Sequence, residues 1–172
     1  MTRHGPAASG ALLAAVLAIG QSQAAAAAPA AWKTYQNARF GYSVRYPADL
    51  LAPLPEAANG DGRHFRPRRG HADVAVWAGY AADETLRALA NAAERDCAGG
   101  HASYKVLRDR NVPPFMALSC VKPGGEVLYA KALRCKDVIT QIQLTYPATE
   151  KAAWDPVVAK MSASLGAGCG AD

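Results

Sequence analysis

Alternation of apolar and polar residues marks several strands along the chain. Phe40, Tyr42, Val44 and Tyr46 fall on one side of the segment 40–46, and Pro47 ends it. The segment 49–62 is rich in Pro, Gly and Asn and reads as a loop. A short strand is expected over 63–68 and a firm one over 73–80 (DVAVWAGY). The period then changes: Leu86, Leu89, Ala90, Ala93 and Cys97 recur at helical spacing, with Glu84, Arg87, Asn91, Glu94 and Arg95 on the other side. Asp83 suits the N-cap of this helix, and Gly99-Gly100 stops it. Four strands in a meander follow, over 103–109, 115–121, 127–135 and 138–146. Lys122-Pro123-Gly124-Gly125 is the clearest turn between them. In the last strand Val138, Thr140, Ile142, Leu144 and Tyr146 share a face, opposite the wetter Ile139, Gln141, Gln143 and Thr145. A closing helix presents Trp154, Val157, Val158, Met161 and Leu165. Its start is read at Asp155-Pro156, as N-cap and first position; a start at Thr149 would put Pro156 inside the helix. The pattern is α+β, an antiparallel sheet flanked by helices.

The N-terminus has a different character. Arg3 and His4 precede the unbroken apolar run 11–19 and the alanine tract 24–28. A charged start, a short apolar stretch and an Ala-x-Ala exit read as a secretory signal peptide over residues 1–28, cut between Ala24 and Ala31. Nine apolar residues cross only about half of a bilayer core, which argues against a membrane anchor. Gln21 stands where a lipoprotein box needs Cys, and no twin-arginine pair is present. The remaining chain divides into an N-terminal arm (29–37), one globular domain (38–165) and a glycine-rich tail (166–172). An exported, periplasmic or secreted protein without stable membrane insertion is expected.

That compartment decides how the cysteines are read. Cys97, Cys120, Cys135 and Cys169 are an even set in an oxidising environment, so two disulfides are expected. A four-cysteine zinc site would need two close pairs, which this spacing lacks. Successive meander strands run antiparallel, so their ends alternate between two edges of the sheet. Cys97 then meets the end of the strand carrying Cys120. The closing helix returns Cys169 to the edge that holds Cys135. The pairs Cys97–Cys120 and Cys135–Cys169 follow, whereas Cys120 and Cys135 would lie roughly 25 Å apart at about 3.3 Å per residue.

This order of strands, helix, meander and closing helix resembles the PsbP-like family, extrinsic subunits of photosystem II and their bacterial relatives. The resemblance rests on Arg39-Phe40-Gly41-Tyr42-Ser43-Val44-Arg45-Tyr46-Pro47 and on the closing stretch from Thr145-Tyr146-Pro147 to Ser162-Ala163-Ser164-Leu165. The chain looks closer still to small exported proteobacterial proteins of unknown function that share this framework. The resemblance covers about 38–165. It implies a PsbP-like α/β/α sandwich and a binding or assembly role, and no active site carries over.

Composition adds limits. Of 172 residues 51% are hydrophobic and 19% charged, an ordinary globular balance, and 19 Lys+Arg against 14 Asp+Glu give +5. Spread over this length, that charge does not demand a nucleic-acid partner, and export argues against one. Ser119-Cys120-Val121-Lys122 matches the S-x-x-K pattern of penicillin-binding enzymes. That chemistry needs a helix start; at a strand end, positions three apart point to opposite faces. No catalytic residue, no cofactor and no enzymatic activity are expected. His64 and His71 are candidates for a surface metal with Asp61 or Asp73, although their spacing of seven fits no standard ligand pair.

The densest charge is Arg63-His64-Phe65-Arg66-Pro67-Arg68-Arg69. Arg63, Arg66, Arg68 and Arg69 form the candidate site for an anionic envelope component or a partner's acidic face. A solvated hairpin rim that shields a sheet edge is the competing explanation. Tyr35, Tyr42, Tyr46, Tyr80, Trp77, Tyr104, Tyr129 and Tyr146 are core or pocket-lining candidates. The leading expectation is a non-enzymatic exported accessory or binding module; a periplasmic small-molecule or metal carrier is the alternative. The ligand and the oligomeric state are not encoded in any recognisable pattern.

Overall fold

A computed structural model describes residues 1–2, 31–97, 99–108, 110 and 113–169. The signal-peptide segment beyond residue 2, the turn at 109–112 apart from Arg110, and the last three residues of the tail lie outside them. Nine strands and two helices are described. They are β1 (Trp32–Gln36), β2 (Ser43–Pro47), β3 (Leu51–Pro53), β4 (Gly62–Pro67), β5 (Asp73–Tyr80), α1 (Leu86–Asp96), β6 (His101–Arg108), β7 (Phe115–Val121), β8 (Glu126–Cys135), β9 (Val138–Pro147) and α2 (Lys151–Ser164).

Seven strands form one antiparallel sheet in the order β3-β4-β5-β9-β8-β7-β6; β1 and β2 form a separate hairpin. After β5 the chain crosses through α1 to the far edge, enters at β6 and meanders back. Thus β9 inserts beside β5 along Asp73↔Thr145 to Tyr80↔Val138. Alternation then gives the sheet two faces. On the first, Val74, Val76, Ile142, Leu144 and Tyr146 are buried beneath α2 and the β1–β2 hairpin, which bring Trp154, Val157, Val158, Met161, Tyr42 and Val44. On the second, α1 lays Leu86, Ala90 and Ala93 over Met116, Leu118, Leu128 and Ile139. The result is the expected α+β sandwich, and α1 covers mainly the β6–β7–β8 half of its face.

Local differences from the sequence reading have physical causes. The stretch read as an arm, 29–37, carries β1, whose register is set by pairing Trp32↔Pro47 through Gln36↔Ser43 and not by any alternation of its own. Strand β2 begins at Ser43, yet Phe40 and Tyr42 are buried as the face pattern requires. The loop 49–62 contains β3, a three-residue edge strand that pairs with the end of β4. Thr85, not Asp83, caps α1, its hydroxyl accepting from the Ala88 amide at 3.1 Å. Helix α2 follows a 3₁₀ turn at Ala148–Glu150 and starts at Lys151, so Pro156 lies inside it. The lost bond to the carbonyl four residues back is offset by what the early start buries. Trp154 stacks on Tyr146 with centroids 5.7 Å apart, and its indole N–H donates to Glu150 at 3.0 Å. Asp155 is no cap: it accepts from the Tyr146 hydroxyl at 3.1 Å and from Lys151.

Two disulfides close the scaffold. Cys97–Cys120 joins the end of α1 to β7, and Cys135–Cys169 joins the end of β8 to the chain beyond α2. Gly168, next to Cys169, passes between Thr140 on β9 and Phe40 of the hairpin turn, its amide donating to Thr140 at 3.0 Å. A side chain there would collide with the Phe40 carbonyl, 2.5 Å from an ideal Cβ.

Candidate functional site

The four arginines of 63–69 do not act as one cluster. Alternation along β4 turns Arg63 and Phe65 to the first face and leaves His64 and Arg66 exposed on the other. Arg63 lies over the Tyr35 ring at 4.5 Å and pairs with Glu56 at 3.7 Å, while its buried Nε has no partner. It belongs to a structural network that fastens the β3–β4 loop to the β1–β2 turn. In that network the fully buried Asn37 donates to Tyr35 (3.0 Å), Glu56 (2.6 Å) and the Gly60 carbonyl (2.9 Å), and accepts from the Phe40 amide. Beside it the Tyr42 hydroxyl donates to the Asp61 and Val76 carbonyls. Burial first, then the neighbouring Tyr35, pushes the Tyr42 phenol well above its ordinary range.

Arg68 and Arg69 reach a different place. They sit where β4 leaves the sheet, in the turn completed by Gly70 at φ +74. Arg68 Nε donates to the Ala48 carbonyl at 3.0 Å, tying this turn to the β2–β3 corner. With Asp49, Leu50, Glu150 and Trp154 they line a cleft of about 600 Å³ beside the start of α2. Its lining is mixed in kind: the guanidinium groups of Arg68 and Arg69, the exposed Leu50, whose carbonyl accepts from the Arg68 amide at 2.8 Å, and the largely buried Trp154. Glu150 is engaged by Trp154 and packs against Gly70, within 3.1 Å of an ideal Cβ there. Among the described residues no ion pair reaches Arg66, Arg68 or Arg69.

The other candidates are scattered. His64 Nδ1 lies 3.1 Å from Asp73 Oδ1 on the exposed side of β4 and β5, whereas His71 stands apart in the next turn. No group of three metal-ligating side chains forms among the described residues. His64 also borders a groove of about 470 Å³ with Trp77, Leu54 and Pro55, on the half of the sheet that α1 leaves open. The tyrosines do not line a common pocket: Tyr35, Tyr42, Tyr46 and Tyr146 are core, and Tyr80 is 66% exposed against Phe40. The Tyr104 side chain lies outside the described residues. Lys122, of the S-x-x-K match, sits 3.9 Å from Glu126 across the β7–β8 turn.

Sequence reasoning missed Leu50, Glu150 and Trp154 as neighbours of Arg68 and Arg69 in the cleft, since nothing in one sequence links positions so far apart. It also missed Lys131. That residue interrupts the inward row Val127, Tyr129, Leu133 on β8 and donates to the Ser162 carbonyl at 2.7 Å, where the last turn of α2 has no basic residue of its own. Burial holds its ammonium below the ordinary lysine range. An isolated cation within an apolar row is a signal that reading could have used.

No family model and no curated protein matches the chain. Among solved structures it is similar to cyanobacterial PsbP (CyanoP) from Synechocystis sp. PCC 6803, known from a solution structure. The two share 14% identity and a TM-score of 0.61 over 82% of this chain and 95% of that one. At that identity the likeness is one of architecture: the antiparallel sheet, the covering hairpin and the two helices give this chain a PsbP-like fold.

Proposed function

We propose that this protein is a non-enzymatic accessory module, exported to the periplasm or beyond, that binds an anionic envelope component or an acidic partner surface through the exposed Arg66, Arg68 and Arg69, of which Arg68 and Arg69 line the corner beside α2. The observation that carries the reading is that these three guanidinium groups have no ion-pair partner among the described residues, although Asp49 and Glu150 line the same cleft as Arg68 and Arg69. Unpaired arginines offer forked donors that suit phosphate and carboxylate. Arg63, counted with them in the sequence, is assigned to the scaffold by its contacts. Two disulfides support export.

Charge reversal tests the reading. Wild-type protein is expected to cosediment with phosphatidylglycerol vesicles and not with phosphatidylcholine, with binding that weakens as salt rises. The variant Arg66→Glu/Arg68→Glu/Arg69→Glu is expected to lose this binding while melting within about 5 °C of wild type, as exposed substitutions do. Undiminished binding by the variant would show that the corner is the wrong surface. The cleft favours a second reading, a small-molecule carrier. Its sign is a ligand that copurifies and stabilises the protein by mass action.

A further inference from the structure

We infer that the cleft beside α2 is a one-to-one site for an anionic amphiphile, a molecule with a phosphate or carboxylate head and an apolar tail. This rests on the reading of the corner as anion-binding and adds the ligand's apolar half and its stoichiometry. A volume of about 600 Å³ falls among small-ligand sites, which run about 300–1,000 Å³. The head has a place prepared for it. Arg68 is steadied by its Nε bond to Ala48, which leaves the two terminal nitrogens of the fork free for a head group, and Arg69 stands beside it unpaired. Two carboxylates, Asp49 and Glu150, also line the cleft, and Glu150 keeps its charge while accepting from the neutral Trp154 indole, so the head is placed by the two guanidinium groups of Arg68 and Arg69.

The tail has a wall to lie on. Leu50 is 44% exposed, one of three large apolar side chains that the described residues leave open, and it faces the cleft with Ala153 and Trp154. A bare anion would satisfy the arginines and leave Leu50 wet. A purely apolar ligand would cover Leu50 and strip water from two guanidinium groups without pairing them, which is costly. A ligand with both parts resolves both conditions.

Calorimetric titration of the oxidised protein with decyl phosphate, decyl maltoside and inorganic phosphate, each below any micelle concentration, tests the site. Native mass spectrometry counts the bound molecules. Decyl phosphate is expected to bind one to one, at least about tenfold tighter than either of the others. Leu50→Ser, at an exposed position, is expected to weaken decyl phosphate about tenfold, and Arg69→Glu at least as much. Decyl maltoside binding equally well, or Leu50→Ser changing nothing, overturns the inference; vesicle binding lost only on arginine reversal would then leave the surface reading intact. If the triple reversal also leaves vesicle binding unchanged, both fail. Competition identifies the source in either supporting case: decyl phosphate that displaces phosphatidylglycerol vesicles points to a lipid head group, and decyl phosphate that binds without displacing them points to a soluble amphiphile.

Discussion

The two covers of the sheet are held down by different means. Helix α2 brings an indole, two valines and a methionine to the sheet and shares a core with the β1–β2 hairpin. Helix α1 buries one leucine and two alanines, and its final turn is fastened by Cys97–Cys120. Apolar burial contributes roughly 25 cal/mol per Å², so alanines supply little. Packing therefore dominates on one face, and a covalent tie makes up the shortfall on the other. The first cover is held mainly by packing, with Cys135–Cys169 tying the chain beyond α2, whereas the last turn of the second is held by Cys97–Cys120.

Substitutions that separate these mechanisms rank by size. Trp154→Ala removes the largest side chain of α2 and leaves Glu150 without its donor. It is expected to cost about 3–5 kcal/mol in denaturant unfolding. Cys97→Ser/Cys120→Ser is expected to cost about 2–4 kcal/mol and to raise amide exchange in α1 far more than in α2; equal loss in both helices would contradict the comparison.

Alkaline pH distinguishes the faces next. Burial raises the phenols of Tyr42 and Tyr146 above their ordinary 10.0; neighbouring Tyr35 adds to it for the first and the Asp155 charge for the second. The sign follows from linkage: a phenol kept neutral in the fold stabilises it fully below pH 10, and the contribution is lost as pH rises toward the folded-state value. Lys131 opposes this, since its lowered value means that burying its charge costs stability until the proton leaves. With several raised phenols against one lysine, net stability is expected to fall above about pH 10, first around the α2 face. Tyr42→Phe should flatten that limb of the melting curve. The smallest effect is expected at the start of α1, where Thr85→Ala removes the cap for about 1 kcal/mol by chemical denaturation.

How much was legible follows the same division. Strands β5 and β9 announce themselves because each is buried on one face and wetter on the other, as with Val74, Val76 and Ala78 against Ala75 and Trp77. Strand β1 carries no such record: Trp32 and Tyr35 break the alternation, and its partner alone sets its register. The start of α2 was misplaced because the proline rule is local, whereas the stacking of Trp154 on Tyr146 is tertiary. At the candidate site the arginines are visible as a run, but the pleat of β4 separates Arg63 from the rest. The cleft exists only once the β2–β3 corner, the β4–β5 turn and α2 converge.

The most direct measurement is the non-reducing intact mass of the protein recovered from the periplasm of a bacterial host, set beside protein retained in the cytoplasm. A periplasmic chain shortened at the N-terminus and devoid of free thiols is the result this account predicts, with α1 less protected from exchange in the cytoplasmic form. A full-length chain with its cysteines reduced in both compartments, and α1 equally protected in each, would contradict it.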